Sequence, residues 1–171
     1  MNAKLIALTG PVSYNSRMAT IRYLISACLC GVPCRYDGSA RRIERFVRLV
    51  ESGEAMAVCP EVLGGLSVPR EPCEILFGRV VNTKGQDKTE EYALGAQKTL
   101  ALAEKHNICV AILKERSPSC GTSRIYDGTF NEVLVPGQGI TTALLKEKGI
   151  LVYSEEDAPE EIGAGLNGKT A

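Results

Sequence analysis

The chain has 171 residues with 20 basic and 20 acidic side chains, so its formal net charge is zero. This length suits one domain with a single hydrophobic core. The balanced charge argues against a polymeric nucleic acid or an anionic membrane surface as the main partner. No apolar stretch reaches the roughly 18 residues that a membrane-spanning helix needs. The apolar run at residues 5–8 is also too short for a secretory signal, and we expect a soluble, cytoplasmic protein.

The cysteine pattern limits the kinds of site that this chain can build. There are seven cysteines, an odd number without a Cys-x-x-Cys motif, and a single histidine. A disulfide framework, a zinc ribbon and a thioredoxin-like redox motif therefore all lack their signatures. We expect reduced thiols, and we expect His106 to end a helix, where an imidazole suits the helix dipole.

The N-terminal segment differs from the rest of the chain. Residues 1–18 are nondescript and become polar toward their end, and Met18 could be an internal start. We therefore assign residues 1–18 to a leader or an appended segment, and residues 19–171 to a single domain.

Short apolar runs then alternate with helical patterns. Apolar side chains recur at spacings of three and four residues within 42–52, which is typical of an amphipathic helix. The run at 108–113 is rich in Val and Ile without alternation, which indicates burial on both faces and makes Cys109 a buried core thiol. The predicted elements are strands at 21–29, 55–58, 108–113 and 150–153, helices at 42–52, 88–105 (with Thr89 as N-cap) and 139–148, and an acidic helix start at 155–161.

A hairpin signal interrupts this alternation. Segments 124–126 and 130–134 flank Asp127-Gly128, a dipeptide that favours tight turns, and we expect a hairpin at the sheet edge. The whole pattern predicts a single α/β domain, Rossmann-like or flavodoxin-like. It would have a small, mainly parallel sheet flanked by helices, with a β-hairpin excursion.

Three cysteines follow three of the predicted strands. Cys28, Cys59 and Cys120 each come after an apolar run and open a loop rich in Gly, Pro or Ser. Because parallel strands place their carboxyl ends at one edge of a sheet, we expect these thiols to converge there. Zinc bound only by cysteine normally takes four ligands, whereas three cysteines with an open position recur in iron–sulfur centres. The spacing alone predicts a cysteine-ligated metal centre.

The remaining loop cysteines have less specific surroundings. Cys30 and Cys34 lie close to Cys28 in sequence, but not all three can ligate one centre if Cys28 ends a strand. We interpret Cys30 and Cys34 as small apolar filler or spare thiols near the site, and Cys73 as structural.

Three further side chains are candidates for catalysis or for contact with a substrate. Glu61 lies two residues after Cys59, close enough to act as a general acid or base, although it could equally be a solvated acid or a partner of Arg70. Ser117 and Ser119 belong to a hydroxyl-rich loop and could contact a substrate, but such loops also cap turns without any catalytic role.

Some residues could bind an anion on the substrate. Arg35 could bind a carboxylate or phosphate as a planar fork, or merely pair with Asp37, and Arg70 has the same chemistry. The predicted helix start that contains Gly139 and Thr141 could present free amides to a phosphate, although one Gly-x-Gly before a helix is a weak signal.

These motifs, taken in order, resemble the thiouracil desulfidase family over about residues 21–153. The resemblance implies a [4Fe-4S] cluster held by Cys28, Cys59 and Cys120 with one iron open. It also implies catalytic roles for Glu61 and Ser117, with Ser117 as a nucleophile or as a residue that orients water. The segments that carry it are Ser26-Ala27-Cys28, Cys34-Arg35-Tyr36-Asp37-Gly38, Val58-Cys59-Pro60-Glu61 with Gly65-Leu66 and Pro69-Arg70, Ser117-Pro118-Ser119-Cys120-Gly121, and Gly137-x-Gly139-Ile140-Thr141.

The implied activity is a non-redox desulfuration of a small thionated pyrimidine, either a 2-thiouracil-like base or a thio-UMP-like nucleotide. Oxygen would replace sulfur at the thiocarbonyl carbon, and sulfide would leave on the cluster. The chain departs from the family pattern at Cys30, Cys34 and Cys73, where the family more often has other residues, and these thiols could be an alternative ligand set or accept released sulfur.

Two other readings remain open on the residues alone. A non-catalytic, cysteine-rich metal- or sulfur-binding module would use the loop cysteines without turning over a substrate. A metal-free cysteine enzyme would need a base beside its thiol, and His106 is badly placed for that role.

Overall fold

The computed structural model describes residues 21–162, and the predicted leader at 1–18 lies outside this range. Among the described residues, no helix is long and apolar enough to span a bilayer. In chain order the elements are β1 (Tyr23–Ser26), a 3-10 turn (Ala27–Cys30), α1 (Glu44–Glu51), β2 (Ala55–Val58), α2 (Pro60–Leu63), β3 (Cys73–Leu76), β4 (Arg79–Asn82), α3 (Thr89–Lys105), β5 (Val110–Leu113), β6 (Arg124–Tyr126), β7 (Leu134–Pro136), α4 (Ile140–Glu147) and β8 (Leu151–Ser154).

The central sheet has four parallel strands in the order β2-β1-β5-β8. From β1 the chain crosses to β2 on one side and later to β5 on the other. The point between β1 and β5 is therefore the topological switch point, where open α/β sheets form a crevice beyond their strand ends. This confirms the predicted α/β domain with a parallel sheet, and the strand order agrees with its flavodoxin-like variant.

Helices cover both faces of the sheet because neighbouring strand residues point in opposite directions. Ile25 belongs to a buried cluster with Phe46 of α1, whereas Leu24 belongs to another with Leu145 of α4 and Ala103 of α3. This two-sided burial explains why the strands are continuous apolar runs rather than alternating ones.

Two antiparallel hairpins lie outside the sheet. Strands β3 and β4 pair around Phe77 and Gly78, both in the left-handed region with φ of 49° and 78°. No pattern in the sequence predicted this hairpin. Strands β6 and β7 form the predicted excursion, but as a separate sheet with a longer connection than a two-residue turn. The buried Glu74 of β3 joins the hairpins by accepting hydrogen bonds from the Gly128 and Phe130 amides at 2.9 and 3.0 Å.

Helix α2, also missed, packs very closely against α3. A Cβ atom added to Gly64 would lie 2.0 Å from the Glu91 carbonyl oxygen, and one added to Gly95 would lie 2.1 Å from that of Pro60. Only glycine permits this approach at both positions. The crossing fixes Glu61 of α2 relative to the first turns of α3.

Several local predictions are wrong for physical reasons. Thr89 is not the N-cap of α3, because its hydroxyl accepts a hydrogen bond from the Val80 amide at 3.0 Å instead. Cys109 is exposed, because β5 begins only at the next residue. His106 does end α3, as predicted.

The acidic segment at 155–161 forms turns rather than the predicted helix. The Ser154 hydroxyl accepts hydrogen bonds from the amides of Glu156 and Asp157, both at 3.1 Å. The Asp157 carboxylate in turn accepts from the Ser154 amide. These local hydrogen bonds compete with those of a helix. Pro159, two residues after Asp157, also disfavours a helical conformation at Ala158.

Candidate active site at the carboxyl edge of the sheet

The sheet brings together the loops that carry Cys28, Cys59 and Cys120. Strands β1 and β2 end at the same level, since Ser26 pairs with Val58. On its other side β1 pairs with β5, where Ile25 lies opposite Ile112. Cys28 lies in the 3-10 turn after β1 and Cys59 directly after β2, while Cys120 lies in the loop after β5. All three thiols are free, with Cys28 and Cys120 buried and Cys59 half-buried.

These thiols interact with one another and with Cys34. A hydrogen bond from the Cys34 thiol lowers the pKa of both Cys28 and Cys59, against the opposing effect of burial. Burial raises the pKa of Cys120, although the Ser26 hydroxyl donates a hydrogen bond to its sulfur at 3.5 Å. Because a bound metal deprotonates its thiol ligands outright, these sulfurs have the chemistry of a soft metal site.

The arrangement does not fit a single metal ion. Within residues 21–162, no group of three or more His, Cys, Asp or Glu side chains is spaced to hold one ion. A cuboidal iron–sulfur cluster binds each cysteine at a different iron, so its ligands need not meet at one point. The converging thiols are therefore compatible with such a cluster.

The structure separates the three remaining loop cysteines. Cys34 lies beside the thiols of Cys28 and Cys59, as a spare thiol near the site would. Cys30 is directed toward the Phe46 carbonyl oxygen at 4.0 Å, and burial raises its pKa to about 12, so it serves as core filler. Cys73 lies beside the hydroxyl of Tyr92, in hydrogen-bonding contact with it.

Glu61 is held by three side chains. Its Oε2 atom accepts hydrogen bonds from Arg70 Nε at 2.8 Å and from the Tyr92 hydroxyl at 3.2 Å. Its Oε1 atom accepts one from the Ser117 hydroxyl at 3.2 Å. Of the alternatives open for Glu61, the solvated acid is excluded, because only 13 % of its side chain is exposed. The structure thus combines the Arg70 partner with a position suited to proton transfer.

Arg70 is fixed in the same network. Its Nη2 atom donates to the Cys34 carbonyl oxygen and its Nη1 atom to that of Ser67, both at 3.0 Å. Burial by itself lowers the pKa of Arg70, but Glu61 outweighs burial and raises it. Arg70 thus connects the carboxylate to the loop that carries Cys34.

Ser117 joins the carboxylate to a thiol-bearing loop. Its Oγ atom accepts hydrogen bonds from the amides of Ser119 at 3.0 Å and Cys120 at 3.1 Å. With these donors on one side, its own proton is directed at Glu61. A hydroxyl that donates to a carboxylate in this way can pass its proton on, or can hold a water molecule for attack.

Ser119, Gly139 and Thr141 hold the loop against α4. The hydroxyls of Ser119 and Thr141 are buried and 2.9 Å apart. The Thr141 amide donates to Ser119, and that of Gly139 to Gly121. A Cβ at Gly139 would lie 2.3 Å from the Ser119 carbonyl group. The amides that we expected to face an anion are thus engaged by the loop, which points to a supporting role.

Arg35 lies near Cys28: after the hydrogen bond from Cys34, its charge is one of the influences that lower the pKa of that thiol. Its guanidinium is 3.9 Å from the Asp37 carboxylate and stands over the Tyr36 ring, and about a third of its side chain is exposed. Of the two alternatives open for Arg35, the structure shows the weak ion pair with Asp37. It does not bring Arg35 to Glu61.

Glu115, which no sequence pattern indicated, organises the loop that carries Ser117 and Cys120. It is buried, and its carboxylate accepts hydrogen bonds from the amides of Thr122, Ser123 and Arg124 and from two hydroxyls. Burial by itself would raise the pKa of Glu115, but the donors, led by Thr122, lower it to about 2. The folded loop therefore depends on an ionised Glu115.

We expect Glu115→Gln to lower the free energy of unfolding at neutral pH by roughly 2–3 kcal/mol, the scale of hydrogen bonds to a charged group. The folded-state pKa lies below the ordinary value of 4.5, so this stabilisation is complete above pH 4.5 and is lost as the pH falls toward about 2. Urea unfolding of both proteins between neutral pH and about pH 3 measures the difference. A difference that does not shrink on acidification would contradict this prediction.

A cavity of about 570 Å³ is lined by Arg70, the partner of Glu61, but not by Glu61 itself, by Ser117 or by any of the three thiols. Arg70 and Cys73 form the wall that faces the network, and Lys88 and Gln86 are among the polar groups farther along. Of these lining residues, the sequence patterns had drawn attention to Arg70 and Cys73 but not to Lys88, which belongs to an ordinary helical pattern. The cavity is large enough for a small aromatic ring with a polar substituent.

Comparisons with known proteins agree with this site. A family model described as 2-thiouracil desulfurase matches residues 23–157. The uncharacterized protein YbbK of Bacillus subtilis (strain 168) is 46% identical over 144 residues, which cover 78% of this chain and 95% of YbbK. The solved structure of TudS, a [4Fe-4S]-dependent thiouracil desulfidase, matches with a TM-score of 0.79 and 45% identity, covering 85% of this chain and 97% of TudS.

The match spans all four strands of the parallel sheet and all three cysteine-bearing loops, not the fold alone. The chain therefore belongs to the 2-thiouracil desulfurase family.

Proposed function

We propose that this protein replaces the thiocarbonyl sulfur of a thionated pyrimidine by oxygen, as a [4Fe-4S]-dependent desulfidase. The observation that carries the proposal is that Ser117 connects Glu61 to a thiol-bearing loop. Its Oγ atom donates a hydrogen bond to Glu61 and accepts one from the Cys120 amide. Family membership and the 45%-identical desulfidase structure support the enzyme class and the cofactor. A non-catalytic binding module would not need the carboxylate and hydroxyl beside the thiols.

Cys28, Cys59 and Cys120 are the residues that would hold the cluster. They come from three different strand ends, and two of the three are buried. Apolar neighbours pack around Cys28 and Cys120, which limits access of water. When bound, the cluster supplies an open iron, a Lewis acid that polarises the thiocarbonyl group and accepts its sulfur.

Glu61 and Ser117 supply the proton transfer. The reaction exchanges the thiocarbonyl sulfur for the oxygen of water, without a change in oxidation state, so it needs a base for the attacking oxygen and no electron donor. Ser117 Oγ donates to Glu61 Oε1 at 3.2 Å, so Glu61 can accept the proton of Ser117 or of a water molecule that Ser117 orients. Arg70 balances the charge of Glu61 while the carboxylate is ionised.

The cavity has room for more than a pyrimidine ring. Its volume of about 570 Å³ suits a thio-UMP-like nucleotide as well as a 2-thiouracil-like base, and Lys88, rather than Arg70, which is bound to Glu61, would contact a phosphate. A comparison of kcat/KM for the base and its monophosphate distinguishes them, and equal values would argue against a phosphate site. The proposal includes a cytoplasmic location, because seven free cysteines among residues 28–120 suit a reducing compartment.

The deciding experiment is turnover of 2-thiouracil by anaerobically reconstituted protein. Uracil and sulfide should form in equal amounts, and protein kept free of iron should form neither. Sulfide release that continues undiminished without iron would refute the proposal. Stoichiometric zinc binding without turnover would instead support a metal-binding module.

A further inference from the structure

The carboxylate of Glu61 is held asymmetrically. Two side chains converge on Oε2: Arg70, with Nε at 2.8 Å and Nη2 at 2.6 Å, and Tyr92, with its hydroxyl at 3.2 Å. One donor, the Ser117 hydroxyl, reaches Oε1. Because these side chains come from separate segments, the loop after α2 and helix α3, they restrict rotation of the carboxylate, so that Oε1 stays directed at Ser117.

We propose that Tyr92 is a positioning residue for this reaction: its hydroxyl holds Glu61 Oε2 so that Oε1 faces Ser117. The expected effect of Tyr92 on kcat rests on the proposed function, whereas its effect on the orientation of the Glu61 carboxylate does not. Tyr92 lies on the first turn of α3, in a segment that showed only a helical pattern in the sequence.

Packing alone does not explain a tyrosine at this position. Tyr92 is only 2 % exposed, and a phenylalanine would fill the same space without a polar atom to satisfy. Its hydroxyl instead contacts Glu61 and the Cys73 thiol. Burial raises the pKa of Tyr92 well above its ordinary value, so the phenol keeps its proton and remains a donor.

The helix crossing explains how Tyr92 holds its position. Glu61 lies on α2 and Tyr92 on α3, and these helices touch through Gly64 and Gly95. A Cβ at either glycine would overlap the backbone of the opposite helix. The backbone contact therefore sets the separation of the two side chains.

Tyr92→Phe tests this role with minimal change of volume. In the reconstituted enzyme, we expect kcat for 2-thiouracil to fall about 10-fold or more, the scale of one hydrogen bond to a charged group, while KM changes less than about twofold. Iron content should equal that of the wild type. The matched control is Tyr153→Phe, because Tyr153 of β8 packs against the core cluster on the α1 face, and we expect its kcat to be unchanged.

A double-mutant cycle separates positioning from a general structural effect. In a Glu61→Gln background, measured over long incubations, Tyr92→Phe should cause no further loss of rate. An equal loss in both backgrounds, or an unchanged kcat in the single variant, would overturn the inference.

A crystal structure of Tyr92→Phe supplies a readout that is independent of turnover. We expect the Glu61 carboxylate to rotate and Oε1 to leave hydrogen-bond distance of Ser117 Oγ. A carboxylate that keeps its orientation would overturn the inference. If the wild type itself fails to convert 2-thiouracil, the proposed function fails, whereas this structural comparison still decides the role of Tyr92.

Discussion

Replacing Cys28, Cys59 or Cys120 by alanine, one at a time, is expected to abolish stable cluster binding. Each thiol would bind a different iron, so each loss leaves an iron without its protein ligand. Anaerobically prepared wild-type protein should contain about four iron and four acid-labile sulfide per chain. Measurement of iron, sulfide and the visible spectrum should show a large loss in each variant, together with loss of thiouracil turnover.

Cys109→Ser is the matched control for these variants. Cys109 is an exposed thiol that directly precedes β5, at the opposite end of the strand from the site. Its replacement by serine should therefore leave the iron content unchanged. Full iron content in any one of the three alanine variants would remove that cysteine from the ligand set. Cys34 would then be the first replacement to test, since it lies beside Cys28 and Cys59.

Glu61→Gln and Ser117→Ala are expected to lower kcat by about 10²–10⁴-fold, the usual contribution of a positioned acid or base. Glutamine keeps the volume of Glu61 but cannot take up the proton, and alanine at 117 removes the hydroxyl that links the carboxylate to the cluster loop. Iron content should be nearly unchanged, because neither side chain is a thiol ligand. Parallel measurement of iron and uracil formation separates the effects on chemistry from those on assembly.

Glu90→Gln provides the control for the loss of a carboxylate. Glu90 is exposed on α3, and its replacement should change neither kcat nor iron content. Loss of iron in Glu61→Gln would show that the carboxylate stabilises the thiol edge rather than the reaction. Full activity in Ser117→Ala would leave Glu61 to activate water without the serine.

The convergence of the thiols was predictable because it depends on simple geometry. Each of Cys28, Cys59 and Cys120 follows an apolar run, and parallel strands end at one edge of the sheet. Glu61 was a catalytic candidate because it lies two residues after Cys59, and Ser117 because it belongs to a hydroxyl-rich loop. Their direct contact joins residues 56 positions apart, which no local pattern reveals.

Other parts of the structure were missed because they depend on hydrogen bonds that no periodicity records. No motif drew attention to Glu74 or Glu115, whose buried carboxylates accept hydrogen bonds from backbone amides, those of another loop for Glu74 and those of its own loop for Glu115. The β3–β4 hairpin lacks an alternating pattern, and its Phe77 turn shows none of the usual Asn-Gly signals. Local propensity is weak evidence when packing decides a segment.

The sequence by itself determined the α/β class, the parallel strands, the family resemblance and the three thiols of the edge, because hydrophobic periodicity and loop chemistry are local. Only the tertiary structure decided which of the other groups belong to the site. It placed Cys34 beside Cys28 and Cys59, and Cys30 in the core. It brought Arg70 and Tyr92 to one oxygen of Glu61. It also showed that loop carbonyls accept hydrogen bonds from the amides at the start of α4. These outcomes depend on the directions of side chains in space, which periodicity does not record.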